Sequence, residues 1–163
     1  ELLWIVDRDY QGEPKITCAT LNTTIKTFSF PISDLKITTN ITNTELKGYL
    51  YEPDVALLKS GAFNLIANRY DLKKLHQQSQ LYYSDEYKPE FLGRIFKIEA
   101  QLAINELKKE KDLKGNVIVR NFPEKAETLV KKYKITPTHD DFILFTQNNN
   151  GYLVIKATII QHY

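Results

Sequence analysis

The sequence contains no methionine and only one cysteine, Cys18, among its 163 residues. A single thiol cannot form an internal disulfide, and together with three scattered histidines it cannot build a structural zinc site. No apolar run approaches the roughly 20 residues that a membrane-spanning helix needs, and no basic segment followed by a long apolar stretch opens the chain. These absences predict a protein of the reducing cytoplasm with no membrane partner.

Motifs for catalysis are missing as well: the sequence has no Gly-X-Gly-X-X-Gly, no phosphate-binding Gly-Lys-Ser/Thr loop and no His-Glu-X-X-His. The adjacent residues of His139–Asp141 precede a predicted strand, which favours a solvated turn over an acid–base cluster. Glu52 and Asp54 flank Pro53, and this spacing favours helix capping over paired-carboxylate catalysis. The sequence therefore predicts no catalytic residue, no cofactor and no metal ligand within this chain.

The chain opens on an apolar run, Leu2–Val6, which predicts a buried strand. This strand would have no preceding element, and the sequence holds no initiator methionine. We therefore expect the 163 residues to be a fragment of a longer protein, with part of its chemistry upstream of Glu1.

The first half of the chain is predicted to be rich in strands, because Thr, Ile, Val and aromatic residues recur there. A polar bridge over residues 37–44 predicts a domain boundary near residue 45. Beyond it, Asp54 is predicted to cap a helix that ends near Tyr70. The strands predicted in this half cover residues 15–21, 25–32, 48–53 and 81–84.

The last seventy residues alternate in the order β-α-β-α-β-β, with strands predicted over residues 94–104, 116–120, 142–146 and 152–160. In the first of these strands, strict alternation places Ile98 and Leu102 on the same side. Asn105 is predicted to cap the first helix, and Pro123 to begin the second with Asn121 as its cap. The predicted fold class is α+β, with small mixed sheets that carry helices on one face.

Positive charge is concentrated in the second half of the chain. Residues 1–93 hold ten Lys and Arg against twelve Asp and Glu, whereas residues 94–163 hold twelve against eight. If both predicted helices of this half lie on one face of the sheet, their lysines could follow a phosphate backbone; a charged face that serves only solubility is the alternative. Arg120 could equally reach a phosphate or pair with a carboxylate. The candidate phosphate-contact residues are Lys108, Lys109, Arg120, Lys131 and Lys132.

Five short motifs in this order resemble the C-terminal part of bacterial class I SAM-dependent methyltransferases: Tyr49–Asp54, Lys59–Phe63, Gly93–Phe96, Val119–Pro123 and Asp140–Phe145. The resemblance implies three parts. Residues 1–44 would be the β-rich end of a methyltransferase domain or an appendage to it, residues 45–93 a ferredoxin-like segment, and residues 94–163 a THUMP-like domain.

THUMP domains generally bind RNA and deliver a target base to an attached enzyme. The resemblance therefore implies the substrate-recognition part of a SAM-dependent methyltransferase, with tRNA or rRNA and its own upstream catalytic domain as partners. SAM would bind in that upstream domain, since no Asp-Pro-Pro-Tyr-like motif occurs in this chain. The alternative is a module that packs on the methyltransferase domain and stabilises it without binding RNA. Such a module would expose an apolar patch that uses Leu2 and Trp4 or Tyr82 and Tyr83.

Overall fold

The strands form one seven-stranded mixed sheet and one hairpin in the computed structural model, which describes residues 2–21, 24–42 and 45–163. The hairpin joins β1 (Lys15–Leu21) and β2 (Ile25–Pro31). The sheet contains β3 (Tyr49–Pro53), β4 (Lys73–Lys74), β5 (Tyr82–Ser84), β6 (Gly93–Ala103), β7 (Asn116–Val119), β8 (Asp141–Asn148) and β9 (Gly151–Gln161). Their spatial order is β4-β5-β3-β6-β9-β8-β7, with β7 and β8 parallel and the other neighbours antiparallel.

Four short α-helices accompany the sheet in the described part of the chain: α1 (Val55–Ser60), α2 (Phe63–Arg69), α3 (Ile104–Leu107) and α4 (Ala126–Tyr133). A 3-10 helix (Ile32–Lys36) follows β2. From β6 onwards the element order is β-α-β-α-β-β, as predicted, and the α+β class is confirmed. The described helices are too short to cross a membrane. Part of the predicted polar bridge, Asn43 and Thr44, lies outside the described residues, as do Glu1, Asn22 and Thr23.

The inner face of the sheet is filled by the sheet's own side chains. Leu50 of β3, Phe96 of β6 and Ile155 of β9 pack there in one buried cluster with Ile118 of β7 and Leu75 beside β4. Because β4 and β7 are the two edge strands, their presence in one cluster shows that the sheet curls until its edges approach each other.

The outer face carries all four described α-helices, in two separate layers. Tyr51 of β3 lies under α1, α2 and the β1–β2 hairpin, whose contributions include Leu57, Ile66 and Phe28. At the other end, Phe145 of β8 lies with Val154, Leu107 of α3 and Leu129 of α4. The prediction of helices on one face of the sheet is confirmed.

A β-bulge in β6 reverses the predicted alternation. The register with β9 shifts between Ile98 and Ala100. Ile98 lies opposite Ala157 in the inner cluster, whereas Leu102 lies opposite Val154 and packs in the outer one. The prediction that Ile98 and Leu102 share a side is therefore wrong, since one extra residue turns every later side chain to the other face.

The apolar run Leu2–Val6 is not a strand, and its five side chains are 79% to 88% exposed. The prediction of a buried strand is wrong for this segment. Apolar residues favour a strand only where a sheet edge is available to pair with them, and none of the described pairings includes this segment.

Helix boundaries differ from the predictions at three places. Asp54 caps α1 as predicted, accepting the Ala56 N–H at 2.8 Å, but the predicted single helix is broken after Ser60 by Gly61, whose φ of 71° lies in the left-handed region. Asn105 lies inside α3 and does not cap it, because α3 begins directly after Ala103. The prediction that Pro123 begins the second helix is also wrong. Helix α4 starts three residues later, and Asn121 does not cap it.

Candidate nucleic-acid interface

Helix α4 presents lysines at its C-terminal end because its apolar residues face the sheet. Leu129 is fully buried, whereas Lys131 and Lys132 in the last turn are exposed. Cations at this end are favoured by the helix dipole. The helix ends at Lys134, which takes a left-handed conformation with φ of 54°.

The segment around α3 is anchored in the same way. Leu107 and Leu113 are buried in the cluster that also holds Leu129 of α4. Between and around these anchors, Lys108 and Lys109 are exposed. Both lysine-bearing segments therefore lie on the outer face of the same half of the sheet. We call the exposed residues Lys108, Lys109, Lys131 and Lys132 the lysine face.

An open groove of about 540 Å³ lies between the two segments, beside the lysine face. Two acidic residues line the groove, Glu110 and Asp112. The Glu110 carboxylate binds Nζ of Lys156 at 2.6 Å, which neutralises its charge. The groove is consequently basic in the part that the structure describes. Its lining residues are Glu110, Lys111, Asp112, Lys114, Tyr133, Lys134 and Thr136.

The five candidate phosphate-contact residues occupy three different situations. Within the described residues, Lys108, Lys109 and Lys131 are exposed and form no ion pair. Lys132 binds the Glu124 carboxylate at 2.8 Å and 3.0 Å, and this hydrogen bond raises the pKa of the lysine. Arg120 lies apart from these lysines, beyond the end of β7, where it binds Glu52.

Glu52 is a completely buried carboxylate that holds two arginines. Nε of Arg94 donates to Oε2 of Glu52 at 2.6 Å, and Nη2 of Arg94 contacts the same oxygen. Nη2 of Arg120 donates to the other carboxylate oxygen, Oε1. We call Glu52, Arg94 and Arg120 the arginine junction. Glu52 and Arg94 lie opposite each other on the neighbouring strands β3 and β6, whereas Arg120 follows the edge strand β7, so its bond to Glu52 joins the two halves of the sheet.

Aromatic rings surround the guanidinium of Arg94. Its Cζ lies 5.5 Å from the ring centre of Phe96, 5.7 Å from that of Phe142 and 5.1 Å from that of Tyr163. Burial raises the pKa of the Tyr163 phenol, and Glu52 adds to this effect while the two arginines oppose it. The charges of the junction therefore act in a partly desolvated setting, where electrostatic interactions are strengthened.

Polar side chains continue from the junction along the turn after β7. Nδ2 of Asn121 lies 3.2 Å from Oγ of Ser79 and 3.3 Å from Nδ1 of His76. Asn121 adopts φ of 53°, a left-handed conformation that Asn tolerates better than most residues. This turn therefore meets the segment between β4 and β5 across the mouth of the curled sheet.

The role predicted for Glu52 is wrong, whereas that for Asp54 is confirmed. The alternation of side chains along a strand could have revealed this site. Glu52 lies two residues after the inward-facing Leu50, and Arg94 two residues before Phe96, so both charged side chains belong to the inner face. A charge at an inward position demands a buried partner. Sequence alone could not identify that partner, because Arg120 comes from a strand far along the chain.

The remaining chemistry-bearing residues behave as structural or solvated groups. His139 and Asp140 are exposed neighbours whose Nδ1 and Oδ1 atoms lie 2.6 Å apart, which confirms a solvated turn. Cys18 is buried in the core under the hairpin. Within the described residues, no three His, Cys, Asp or Glu side chains gather in a way that could hold a metal ion.

Two domain families match this chain. Residues 49–91 match a ferredoxin-like domain, and residues 93–158 match a family described as THUMP domain-like. No curated protein matches the chain.

A solved structure is similar over most of the chain. It is that of a candidate methyltransferase from Porphyromonas gingivalis W83, with 28% sequence identity and a TM-score of 0.80. The similarity covers 90% of this chain but only 38% of the methyltransferase chain, so the present chain corresponds to a minor part of that protein. The chain therefore carries a ferredoxin-like domain followed directly by a THUMP-like domain, with the fold of part of this methyltransferase-related protein.

Proposed function

We propose that this chain is the RNA-recognition part of a cytoplasmic SAM-dependent methyltransferase that acts on tRNA or rRNA. The observation that carries the proposal is the coincidence of two features in residues 93–158: the THUMP-like match and the lysine face. Methyl transfer would take place in a domain outside these 163 residues, which lack a SAM-binding motif.

The lysine face would act by neutralising phosphates. Each lysine that contacts a phosphate releases condensed counterions from the nucleic acid, which favours binding at low salt. Phosphate contacts fix the position and register of an RNA but do not read its sequence. The chain would thus hold the RNA in place while the catalytic domain selects and modifies the base.

The direct test is a titration of the intact chain with tRNA at several salt concentrations. The logarithm of the association constant should fall linearly with the logarithm of the salt concentration, and we expect the triple variant K108Q/K109Q/K131Q to have a shallower slope than the wild type. The reduction should be about 2 for single-stranded contacts and about 2.7 for duplex contacts. The matched control, K15Q/K36Q/K59Q, removes the same charge from exposed positions in the first half of the chain. Equal effects of the two triple variants, or no affinity for tRNA at all, would contradict the proposal.

A stabilising module without RNA affinity is the second candidate, favoured by the exposure of Leu2–Val6. The version of this idea that uses Tyr82 and Tyr83 is wrong, because both rings are buried in the cores of the sheet. Joining the chain to the catalytic domain that the proposal places outside these 163 residues tests this candidate. A large rise in melting temperature together with no RNA affinity would favour it over RNA recognition.

A further inference from the structure

We infer that the arginine junction is a binding site for a single phosphate group, separate from the lysine face. Its charge is unbalanced: two guanidinium groups share the one carboxylate of Glu52. Among the described residues, no second carboxylate forms an ion pair with Arg94 or Arg120. One positive charge is therefore left for an anion.

Hydrogen-bond donors of both arginines remain available. Each guanidinium carries five N–H groups. Glu52 accepts hydrogen bonds from Nε of Arg94 and from Nη2 of Arg120 and contacts Nη2 of Arg94, and the Val119 carbonyl accepts from Nη1 of Arg120 at 3.1 Å. Nη1 of Arg94 and Nε of Arg120 donate no hydrogen bond within the described residues. The two side chains are 20% and 39% exposed, so an incoming group can reach them.

The junction holds these donors in fixed positions before any ligand arrives. Glu52 is completely buried, and its two oxygens orient the two guanidinium groups towards each other. Phe96 and Phe142 restrain Arg94 further by packing around its guanidinium. Binding groups that are already ordered lose less entropy when the ligand binds. Arginine forks match the oxygen geometry of phosphate, which favours this anion as the ligand.

A buried hydroxyl near Arg120 lacks a partner. The Arg120 N–H donates to the carbonyl of Phe145 at 2.9 Å, and the next residue in β8 is Thr146. Thr146 is fully buried, and its Oγ1 atom has no hydrogen-bond partner in the described structure. Buried hydroxyls are nearly always hydrogen-bonded. Thr146 follows the residue that pairs with the Arg120 backbone, so this unpaired hydroxyl lies in the strand next to Arg120.

The test uses the intact chain and three phosphate-bearing probes: inorganic phosphate, adenosine monophosphate and a short oligoribonucleotide. We expect R120Q to weaken binding of inorganic phosphate by about tenfold or more. The affinity of R120K for inorganic phosphate should lie between those of R120Q and the wild type, because lysine keeps the positive charge but lacks the paired N–H donors of the guanidinium. The control, K59Q, removes an exposed lysine of α1 and should bind as the wild type does. Equal binding by R120Q and wild type would overturn the site.

A second measurement on the wild type covers the case in which R120Q does not fold. The Nε–H signals of Arg94 and Arg120 in a ¹⁵N NMR spectrum should shift as inorganic phosphate is added, and acetate at the same concentration should shift them less. Unmoved signals, or equal shifts with acetate, would contradict a phosphate site.

The bound phosphate could belong to RNA or to a free nucleotide. Adding R120Q to the K108Q/K109Q/K131Q variant distinguishes these two sources. If R120Q there lowers the affinity for the oligoribonucleotide further, the site binds a phosphate of RNA; if it lowers only the affinity for adenosine monophosphate, the site binds a free nucleotide. Because inorganic phosphate needs no lysine face, the site can be confirmed even if RNA recognition by the lysines fails.

Discussion

The carboxylate of Glu52 binds the guanidinium of Arg120 although four strand-to-strand steps separate β3 from β7 in the sheet. Neighbouring strands lie about 4.8 Å apart, so a flat sheet would hold these residues far beyond contact. The ion pair therefore depends on the curl of the sheet. It joins the ferredoxin-like part, which contains Glu52, to the THUMP-like part, which contains Arg120.

Glu52→Gln should destabilise the chain strongly, because it leaves two arginines in a partly buried site without a counter-charge. We expect the free energy of unfolding to fall by about 3–5 kcal/mol, measured by urea denaturation. The matched control is Glu45→Gln, which removes an exposed carboxylate paired with Lys47. It should leave the unfolding midpoint unchanged. A loss of less than about 1 kcal/mol in the Glu52 variant would show that the pair contributes little to closing the sheet.

Gly93→Ala should damage the fold more than a substitution at another glycine with positive φ. A Cβ at residue 93, where φ is 156°, would lie 2.2 Å from the Glu52 carbonyl oxygen. Gly151 has φ of 127° but open space around it. Gly151→Ala should therefore lower the free energy of unfolding through backbone strain alone, by about 1–3 kcal/mol. Gly93→Ala should cost at least about 2 kcal/mol more because of the added steric overlap. Equal losses in urea unfolding would contradict this view.

Cys18 should react with a thiol reagent only when the β1–β2 hairpin opens. Its side chain is buried, and this burial raises the pKa of the thiol, which disfavours the reactive thiolate. We expect slow labelling in native buffer and complete labelling in urea. As a control, Thr17→Cys in a Cys18→Ala background places a thiol on the exposed side of β1 and should react at once. Equally fast labelling of both thiols would mean that the hairpin does not cover Cys18.

Stability should fall steeply in alkaline solution. Burial raises the pKa of Tyr51 to about 12, from 10.0. Between these two values the unfolded chain has lost the phenol proton and the folded chain keeps it, so unfolding becomes easier as pH rises. One such tyrosine contributes a slope of up to about 1.4 kcal/mol per pH unit.

The variant Tyr51→Phe tests this contribution. At neutral pH it should be less stable than the wild type, because the phenol donates to the Glu86 carbonyl at 2.6 Å and accepts from the Lys88 N–H at 3.0 Å. From pH 10 to about 12 the difference in the free energy of unfolding between Tyr51→Phe and the wild type should become smaller, as measured by urea unfolding at several pH values. A constant gap across this range would contradict a raised pKa for Tyr51.

Local patterns were sufficient for most elements. The cap that Asp54 provides for α1 and the β-α-β-α-β-β order from β6 onwards are both set by residues close in sequence. Lys108 and Lys109, which follow α3, and the lysines of α4 could also be assigned to solvent from the positions of the apolar residues that anchor each segment. Their role in binding RNA stays a prediction.

Other features required contacts between distant residues. Nothing local in β6 marks the bulge after Ile98, which is fixed by the register with β9. Leu2–Val6 has the composition of a buried strand but pairs with no described strand.

The amino-acid sequence by itself determined the order of elements from β6 onwards, the cap that Asp54 provides for α1 and the exposure of the candidate lysines, because these depend on residues close together along one segment. Only the tertiary structure decided that Arg94 and Arg120 meet on the carboxylate of Glu52. The physical reason is that the curl of the sheet sums small twists over seven strands and brings together residues that no short segment connects.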